Sequence, residues 1–276
     1  MLDNPAWWAL NSLQSEFAEG ASRAKRYRKG ILPFIACVAE TEDLPADALD
    51  ELDVWMEKGE VFYIIGRLPV LPNHWVMEFE LPCAQMVLPE KAGGTMQRAI
   101  GAAGTSGEQG ANGAQGAGGP VRGASGAEGP GGPMGRAKEA NTRATKPPPA
   151  IELLGEANSA EMYDLISRIQ PGYYNIDTRL LGNYYGIRQE GRLVAMAGER
   201  MRLTGFTELS AICTDPGYTG LGYAQLLIAH ICDIHFREGI NSMLHVALSN
   251  ERAIRLYEHM GFRHRREISF WRCRKG

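Results

Sequence analysis

The sequence predicts a mixed α/β fold, with a helix-flanked sheet after residue 150 and a smaller α/β unit before residue 92. After residue 150, short apolar segments alternate with helical segments, and this alternation predicts a mixed sheet with helices on its faces. A glycine-rich loop joins a strand to a helix within that region. Near Gly93 the composition changes abruptly, and this change separates the two units.

The composition of the whole chain excludes several classes of protein. Of its 276 residues 44% are hydrophobic, and the net charge of -3 gives no general attraction to nucleic acid or anionic membranes. The most apolar helical segment, Ala224–Ile234, is interrupted by polar residues and is shorter than the roughly 20 residues that span a bilayer. The N-terminus lacks the pattern of a signal peptide. Five cysteines without a C-x-x-C pair predict neither a disulfide framework nor a metal site, so we expect a cytoplasmic protein.

The first region, residues 1–92, has the pattern of a small α/β domain without an evident catalytic set. Its basic cluster at residues 23–29 is interpreted as a solvated face, with phosphate binding as the alternative. The predicted elements are a helix from Asn4-Pro5 to Gly20 with Leu10, Leu13 and Phe17 on one face, a strand at Ile31–Val38, a helix at Pro45–Lys58 with Leu49, Leu52, Trp55 and Met56 turned inward, and strands at Val61–Ile65, Trp75–Phe79 and Cys83–Leu88.

Residues 93–149 consist mainly of Gly, Ala, Ser, Gln and Pro, with almost no large apolar side chain. Glycine recurs at every third position over residues 104–119, which is the spacing of a collagen triple helix. Proline is sparse, however, and the repeat breaks in the middle. We therefore predict a disordered linker, because such a segment cannot bury enough apolar surface to offset the entropy of ordering it.

The second region, residues 150–276, contains a dense series of strands and helices. Pro171 ends its first helix, and Glu190-Gly191 form the turn between its first two strands. The predicted elements are helices at Ala160–Ile169, Ala224–Arg237 and Glu251–Met260, and strands at Tyr184–Ile187, Leu193–Ala197, Thr207–Thr214, Met243–Leu248 and His264–Arg272.

Gly220 and Gly222 lie between the strand that ends at Thr214 and the helix that begins near Tyr223. Because glycine has no Cβ, the backbone can curl and bring its N–H groups close to a ligand, and the helix N-terminus adds unpaired amides. Gln225 stands where a dinucleotide-binding loop has its third glycine, and the Gly-Lys-Ser/Thr sequence of a P-loop is absent. The loop therefore predicts either a phosphate site of another kind or a plain structural turn.

Two sequence motifs carry a resemblance to a known family. Thr214-Asp-Pro-Gly-Tyr-Thr-Gly-Leu-Gly-Tyr-Ala224 resembles the pyrophosphate motif of the GCN5-related N-acetyltransferases (the GNAT family), and Asn250-Glu-Arg-Ala-Ile-Arg-Leu-Tyr-Glu-His-Met-Gly-Phe262 resembles the helix that follows in that family. The resemblance covers about residues 150–274 and is closest to the branch related to glycine N-acyltransferase. It implies a mixed, mostly antiparallel GNAT sheet with flanking helices, and acetyl-CoA as co-substrate. Gly217 and Thr219 depart from the family pattern, which often has Arg or Gln at the first position and Arg at the second.

The resemblance also implies roles for individual residues. Tyr257 would give a proton to the departing thiolate, and an ordinary phenol pKa of about 10 suits that role; packing is the alternative. Asn250 would hydrogen-bond the pantetheine arm, with a plain helix N-cap as the alternative. The main-chain groups that would hold the pantetheine arm belong to Ile212, Cys213 and Thr214, and those that would hold the pyrophosphate belong to Thr219, Gly220, Leu221, Gly222, Tyr223 and Ala224.

The incoming amine must lose a proton, and a carboxylate on the strand before the loop is the first candidate base. Glu208 is in phase with Ile212, so we expect it to face the cleft, where burial would raise its pKa. Glu199 on the preceding strand is the second candidate, and water is the third. His245, on an apolar strand, is interpreted as a core residue.

These patterns predict an N-acetyltransferase in which an amine attacks acetyl-CoA directly, without a covalent enzyme intermediate. The acceptor is expected to be a small-molecule or peptide amine, bound between residues 171–183 and the first region. The alternative is a catalytically silent CoA-binding module, which the departures at residues 217 and 219 support. The sequence predicts no metal, nucleic-acid or membrane partner and leaves the oligomeric state open.

Overall fold

The computed structural model describes residues 1–38, 48–89 and 148–276. The strands are β1 (Ala18–Gly20), β2 (Ala24–Tyr27), β3 (Phe34–Cys37), β4 (Val61–Ile65), β5 (Trp75–Val87), β6 (Ile151–Leu154), β7 (Tyr184–Gln189), β8 (Arg192–Leu203), β9 (Phe206–Thr214), β10 (Asn241–Ala247) and β11 (Arg263–Lys275). The helices are α1 (Pro5–Leu10), α2 (Asp50–Asp53), α3 (Ser159–Ile169), α4 (Tyr223–Arg237) and α5 (Glu251–His259). Within these ranges no helix has both the length and the apolar character needed to cross a bilayer.

The described strands form one sheet in the order β1-β2-β3-β4-β11-β5-β10-β9-β8-β7-β6. Most neighbouring strands are antiparallel, whereas β3–β4 and β9–β10 run parallel. The helices flank this sheet, with α3 and α4 both contacting β8 and β9. The predicted mixed, mostly antiparallel sheet with flanking helices is confirmed.

Strand β5 belongs to the first region but lies between two strands of the second. Its Ala84 pairs with Val246 of β10 on one side and with Glu267 of β11 on the other. The two regions therefore share a sheet through main-chain hydrogen bonds. Among the described residues, the last strand of the first region ends at Val87 and the first strand of the second begins at Ile151, and the predicted division at residues 92 and 150 stays a prediction. Nearly all of the predicted linker lies outside the described residues.

The predicted helix over residues 4–20 is wrong beyond Leu10, where α1 ends. The side chains of Asn11 and Ser12 donate to main-chain carbonyls one turn back, at 2.7 and 2.6 Å. Such bonds give the backbone an alternative to continuing the helix. A 3₁₀ turn and β1 follow, so Leu13 is exposed instead of facing the core.

Other predictions in the first region also need correction. α2 is only four residues long, and Trp55 is half exposed and not turned inward; the beginning of the predicted helix lies outside the described residues. The two strands predicted after residue 74 are one strand, β5, which continues through Pro82. Arg26 is not solvated, because its guanidinium is buried and donates to the carboxylate of Glu60 at 2.6 Å.

The predicted elements of the second region are all present, and most of its strands are longer than expected. Glu190 and Gly191 both have positive φ, 52° and 79°, as a tight hairpin turn requires. Strand β6 was not predicted; it pairs with β7 at the edge of the sheet. Because β9 and β10 are parallel, their carboxyl ends reach the same edge, and α4 and α5 both begin there. The two sequence motifs are therefore brought together.

Candidate functional site

The loop between β9 and α4 presents main-chain amides that have no acceptor within the described structure. Gly220 and Gly222 have φ values of 82° and 75°, in the left-handed region that favours glycine. Among the described residues, no carbonyl or side chain accepts a hydrogen bond from the amides of residues 219–225. The last of these amides begin the 15-residue helix α4, whose N-terminus favours negative charge. This arrangement suits a phosphate group.

Asp215 fixes the start of this loop. Its Oδ1 accepts the Gly217 amide at 3.1 Å, and its Oδ2 accepts from Arg168 and Arg192 at 3.2 and 3.1 Å. Burial alone would raise the pKa of Asp215, but the Gly217 amide and the two guanidinium groups lower it below its ordinary value. Arg192 also lies over the ring of Tyr218, 5.8 Å from its centroid. Two arginine side chains therefore flank the loop, although none of residues 217–224 is itself cationic.

A cavity of about 100 Å³ lies where β9 and β10 separate. The pairing of the two strands ends at Glu208 and Met243. Just beyond it, Ala211 has a φ of 51° and the register of β9 against β8 shifts, which together describe a β-bulge. Residues 209–212 of β9 and 244–247 of β10 form two walls of the cavity. The two strands therefore separate at the end of β9 that leads into the loop.

Tyr257 of α5 lines the same cavity. Its side chain is buried, and its ring packs edge-on against Phe262 with centroids 6.0 Å apart. Its hydroxyl makes no hydrogen bond to any residue in the described part of the chain. Burial raises the pKa of Tyr257 above its ordinary value. The phenol therefore keeps its proton at neutral pH, as a proton donor must.

Asn250 is the N-cap of α5, since its Oδ1 accepts the amide of Ala253 at 3.1 Å. The simpler of the two roles considered for Asn250 is therefore present in the structure. The cap uses only the oxygen of the side chain, and within the described residues the Nδ2 group donates to no acceptor. A contact between Nδ2 and a pantetheine arm stays a prediction.

Ile212, Cys213 and Thr214 continue β9 beyond the bulge. Cys213 and Thr214 pair with β8, and the Ile212 carbonyl accepts from Nε2 of Gln170 at 3.2 Å. The edge of β9 that faces β10 is not paired beyond Glu208. An extended ligand arm would run along that edge, and its hydrogen bonds to these three residues stay a prediction.

Glu208 is fully buried beside the cavity and is not among the residues that line it. Its carboxylate accepts from Nε and Nη2 of Arg200 at 2.9 and 2.5 Å, and Nδ1 of His245 lies 2.7 Å from Oε1. Burial alone would raise the pKa of Glu208, but Arg200 and His245 outweigh burial and lower it to about 2. The expected upward shift is therefore wrong, because a permanent cation is buried together with this carboxylate. A catalytic role for Glu208 stays a prediction.

Glu199, the second candidate base, points toward α4. His235 lies 3.1 Å from its Oε1, and the Asn183 amide donates to its Oε2 at 3.2 Å. Burial alone would raise the pKa of Glu199, but these two contacts and the charge of Arg202, 4.0 Å from Oε2, lower it. The other ring nitrogen of His235 contacts Ser242 at 2.8 Å. Glu199 does not line the cavity, so in this structure it is a cross-link between α4 and the sheet.

Five residues of the cavity wall carry polar side chains to which the sequence interpretation gave no role: Arg200, Gln170, Tyr173, Tyr174 and Ser210. Arg200 stands in the long apolar strand β8, and a cation in such a run is a signal for a buried partner. The two tyrosines belong to residues 171–183, which were expected to help form the acceptor pocket. Leu81 and Cys83 of β5 line the same cavity, so the first region contributes to it as well. His245 is buried as expected and also reaches the cavity.

No group of three or more His, Cys, Asp or Glu side chains within residues 1–38, 48–89 and 148–276 is arranged to hold a metal ion.

Comparisons with known proteins agree with this geometry. Residues 184–271 match the model of the family described as FR47-like protein. No curated protein matches the chain. A crystal structure of a GNAT-family acetyltransferase from Novosphingobium aromaticivorans is 28% identical, with a TM-score of 0.72; the match covers 100% of this chain and 98% of that one.

Two more distant structures share the fold. A GCN5-related N-acetyltransferase from Kribbella flavida is 10% identical with a TM-score of 0.56, and the match covers 99% of this chain and 95% of that one. A GCN5-related N-acetyltransferase-like protein from Streptococcus suis is 11% identical with a TM-score of 0.52, covering 97% and 92%. In all three matches the aligned length includes the first region, so the shared sheet is part of a common architecture.

Proposed function

We propose that this chain, which shares its fold and an FR47-like segment with GNAT-type acetyltransferases, moves an acetyl group from acetyl-CoA to an amine by direct attack. One observation carries the proposal. The unpaired amides of residues 219–225 lie at the same sheet edge as the cavity that holds Tyr257. A diphosphate bound by the loop would direct a thioester arm into that cavity.

The loop fits the diphosphate without the family's arginine. Main-chain N–H groups bind phosphate oxygens through hydrogen bonds and the helix dipole, neither of which needs a cationic side chain. Arg168 and Arg192 supply positive charge nearby, although both already contact Asp215. We expect weaker binding than a loop with its own arginine would give.

The reaction needs few groups from the protein. The amine nitrogen attacks the thioester carbonyl carbon, the carbon–sulfur bond breaks, and the thiolate takes the proton of Tyr257. Burial makes Tyr257 a weaker acid, but the same dry surroundings make the departing thiolate a stronger base. Solvent then returns a proton to the tyrosinate, and solvent also takes the proton that the amine loses. Holding amine and thioester together supplies much of the acceleration.

We assign the amine's proton to water because neither buried glutamate is placed to take it. Both oxygens of Glu208 already accept from Arg200, and Glu199 does not reach the cavity. We keep the likeness to the glycine N-acyltransferase branch as a proposal, and with it a small-molecule or peptide amine as acceptor. A cytoplasmic location is also a proposal, which the five unpaired cysteines support.

The second candidate function is a catalytically silent CoA-binding module. Gly217 and Thr219 favour this function, because the GNAT motif that the loop resembles often has a cationic side chain at these positions and this loop has none. The two functions share cofactor binding and differ in turnover, so two measurements separate them.

Titration calorimetry with acetyl-CoA tests binding, and Gly222→Ala is the informative variant. A side chain strains the backbone equally at Gly222 and Gly239, with φ values of 75° and 70°, but a Cβ at Gly222 lies within the phosphate-binding loop, 3.4 Å from Oε1 of Gln225, whereas at Gly239 it meets open space. We expect Gly222→Ala to raise the Kd about tenfold and the control Gly239→Ala to leave it unchanged. Equal Kd values would contradict binding at the loop. Thiol release from acetyl-CoA across a panel of amines then distinguishes an enzyme from a silent module.

A further inference from the structure

Strand β5 has a free edge beyond the end of β10. The pairing of β10 with β5 reaches only as far as Cys83, and the Pro82 carbonyl then accepts a last hydrogen bond from the Leu248 amide at 2.9 Å. From there the chain leaves the sheet and enters α5. Residues 75–81 of β5 continue past this point, and among the described strands they pair with β11 alone. One side of this stretch of β5 therefore has no partner strand in the described part of the chain.

The main-chain groups of Glu80 point toward this free edge. The N–H and C=O groups of successive residues in a strand turn to opposite sides, so Glu80 faces the same side as Pro82, whose carbonyl faces β10. The opposite strand agrees with this orientation. The Ser269 carbonyl accepts from the Gly66 amide at 2.9 Å, on the side away from β5. Ser269 pairs with Pro82, so that pair and the Trp271–Glu80 pair two residues on exchange no hydrogen bonds. Within the described residues, neither main-chain group of Glu80 has a partner.

The free edge is exposed and short. Glu80 and Pro82 are both exposed. Pro82 has no N–H to offer at one end of the edge. Toward the other end the pairing of β5 with β11 shifts between Arg272 and Cys273, which describes a β-bulge. Such features keep a sheet from growing at its edge. The edge therefore offers one well-formed residue pair, which suits the end of an extended chain better than another long strand.

This edge leads into the cavity between β9 and β10. Leu81, the neighbour of Glu80, lines that cavity, as do Val246 and Ala247 at the end of β10. A peptide paired antiparallel to β5 has its N-terminus at the cavity and runs outward from it. When its second residue pairs with Glu80, its first residue lies opposite Leu81. The amino group of that first residue then points away from β5, toward the gap between β9 and β10 where the thioester arm is expected.

We propose that the free edge of β5 binds the N-terminal end of a polypeptide as an added antiparallel strand, and that the N-terminal amine of this polypeptide is the acetyl acceptor. This inference rests on the proposed function. The second residue of the bound chain donates its N–H to the Glu80 carbonyl and accepts from the Glu80 N–H. Main-chain pairing of this kind supplies affinity without reading side chains. A free amino acid or a simple amine has no second residue and cannot form this pair.

Methylated peptides test the inference without changing the protein. Thiol release from acetyl-CoA is measured with trialaninamide and with two forms of it, one N-methylated at its second residue and one at its third. The first methyl group replaces the N–H that faces Glu80, whereas the N–H of the third residue faces away from β5. We expect the first methyl group to lower kcat/KM about tenfold, through a lost hydrogen bond and a collision with the edge, and the second to leave it nearly unchanged. Equal rates for the two methylated peptides, or alaninamide as good an acceptor as trialaninamide, would overturn the inference.

The variant Glu80→Pro removes the donor on the side of the protein. The N–H that it loses takes no part in the pairing with β11, and proline is tolerated where a strand faces a free edge. We expect the ratio of kcat/KM for trialaninamide to that for alaninamide to fall about tenfold. Glu80→Ala is the matched control, because it removes the same carboxylate but keeps the N–H, and it should preserve the ratio. An equal fall in both variants would assign the effect to the side chain and contradict the inference.

Failure of the proposed function can be distinguished from failure of this inference. When acetyl-CoA binds but no amine is acetylated, the enzymatic function fails on its own. Calorimetric titration of trialaninamide and its two methylated forms into the CoA-saturated protein then measures the pairing directly. Weaker binding of the peptide methylated at its second residue supports docking at the edge, and equal binding of all three overturns it. Sedimentation that shows a dimer for the wild type and a monomer for Glu80→Pro would mean that a second copy of the chain occupies the edge, which also overturns the inference.

Discussion

Two buried glutamate–histidine pairs in this protein have the same residue types and different surroundings. Glu208 contacts His245 at 2.7 Å and also accepts two hydrogen bonds from Arg200. Glu199 contacts His235 at 3.1 Å and otherwise accepts from a main-chain amide. The first pair borders the cavity between β9 and β10, and the second connects α4 to β8 away from it.

The difference teaches that a buried carboxylate takes its role from the charge buried with it. Arg200 is charged at every pH at which the protein folds, so Glu208 and Arg200 form a permanent ion pair. That pair leaves a guanidinium edge facing the cavity and engages both carboxylate oxygens in hydrogen bonds. Glu199 accepts no hydrogen bond from a guanidinium, since Nε of Arg202 lies 4.0 Å from its Oε2, and it serves as a hydrogen-bonded cross-link. Glu208 therefore positions a charge, whereas Glu199 supports packing.

The largest effect is expected from removing Glu208. The variant Glu208→Ala leaves Arg200 buried without a partner, which we expect to lower the free energy of unfolding by about 3–5 kcal/mol, as for other broken buried ion pairs. Urea unfolding at pH 7 measures the change. A control is the double variant Glu208→Leu/Arg200→Met, which removes both charges and should recover most of the loss. A loss below about 1 kcal/mol in the single variant would show that the pair is more solvated than the structure has it.

Acid should weaken the fold through the same carboxylate. The pKa of Glu208 is lowered from an ordinary 4.5 to about 2, so its contribution to stability is present above about pH 5 and is lost as pH falls from there toward 2. By linkage the contribution is about 3 kcal/mol. Urea midpoints measured from pH 7 to pH 3 should fall for the wild type and fall less for the double variant. Parallel curves would refute the assignment.

The fold could be predicted well where local patterns and packing agree. The elements after residue 150 were predictable from the alternation of strands and helices, because local turn and cap residues mark where these elements begin and end. Glu190-Gly191 form such a turn, and Asn250 is such a cap. The place of β5 between β10 and β11 could not be predicted, because the pairing of strands far apart in sequence depends on tertiary contacts. The same limit explains the over-long helix at α1, which side-chain hydrogen bonds from Asn11 and Ser12 end early.

The parts of the site formed by the main chain could be predicted from the sequence, whereas the parts formed by side chains could be predicted less well. The left-handed backbone conformation of Gly220 and Gly222 is one that glycine adopts readily, so the loop was predictable from residue type alone. The lowered pKa of Glu208 was not, since it depends on a guanidinium eight residues away on a neighbouring strand.

If neither glutamate exchanges protons with the substrates, proton donation to the leaving group rests on Tyr257. We expect Tyr257→Phe to lower kcat at saturating acetyl-CoA about 100-fold, the lower end of general acid catalysis, with little change in the Kd for acetyl-CoA. The control is Tyr163→Phe, since Tyr163 lies on α3 with 43% of its surface exposed. A kcat within threefold of the wild type would remove Tyr257 from the mechanism and return proton donation to water.

The smallest effect is expected at the pair away from the cavity. Glu199→Gln keeps one oxygen that can accept from the Asn183 amide, but it places an amide nitrogen opposite His235 and loses the charge, so we expect a loss of about 1 kcal/mol in the free energy of unfolding at pH 7. Because the pKa of Glu199 is lowered in the fold, this difference should shrink as pH falls below about 4.5. Urea unfolding of both proteins at pH 7 and pH 4 measures it. If Glu199→Gln lowered the free energy of unfolding as much as Glu208→Ala does, the Glu199–His235 pair would stabilise the fold as strongly as the Glu208–Arg200 ion pair. The contrast between the two pairs would then be wrong. A fall in kcat comparable to that of Tyr257→Phe would instead return Glu199 to the candidate bases.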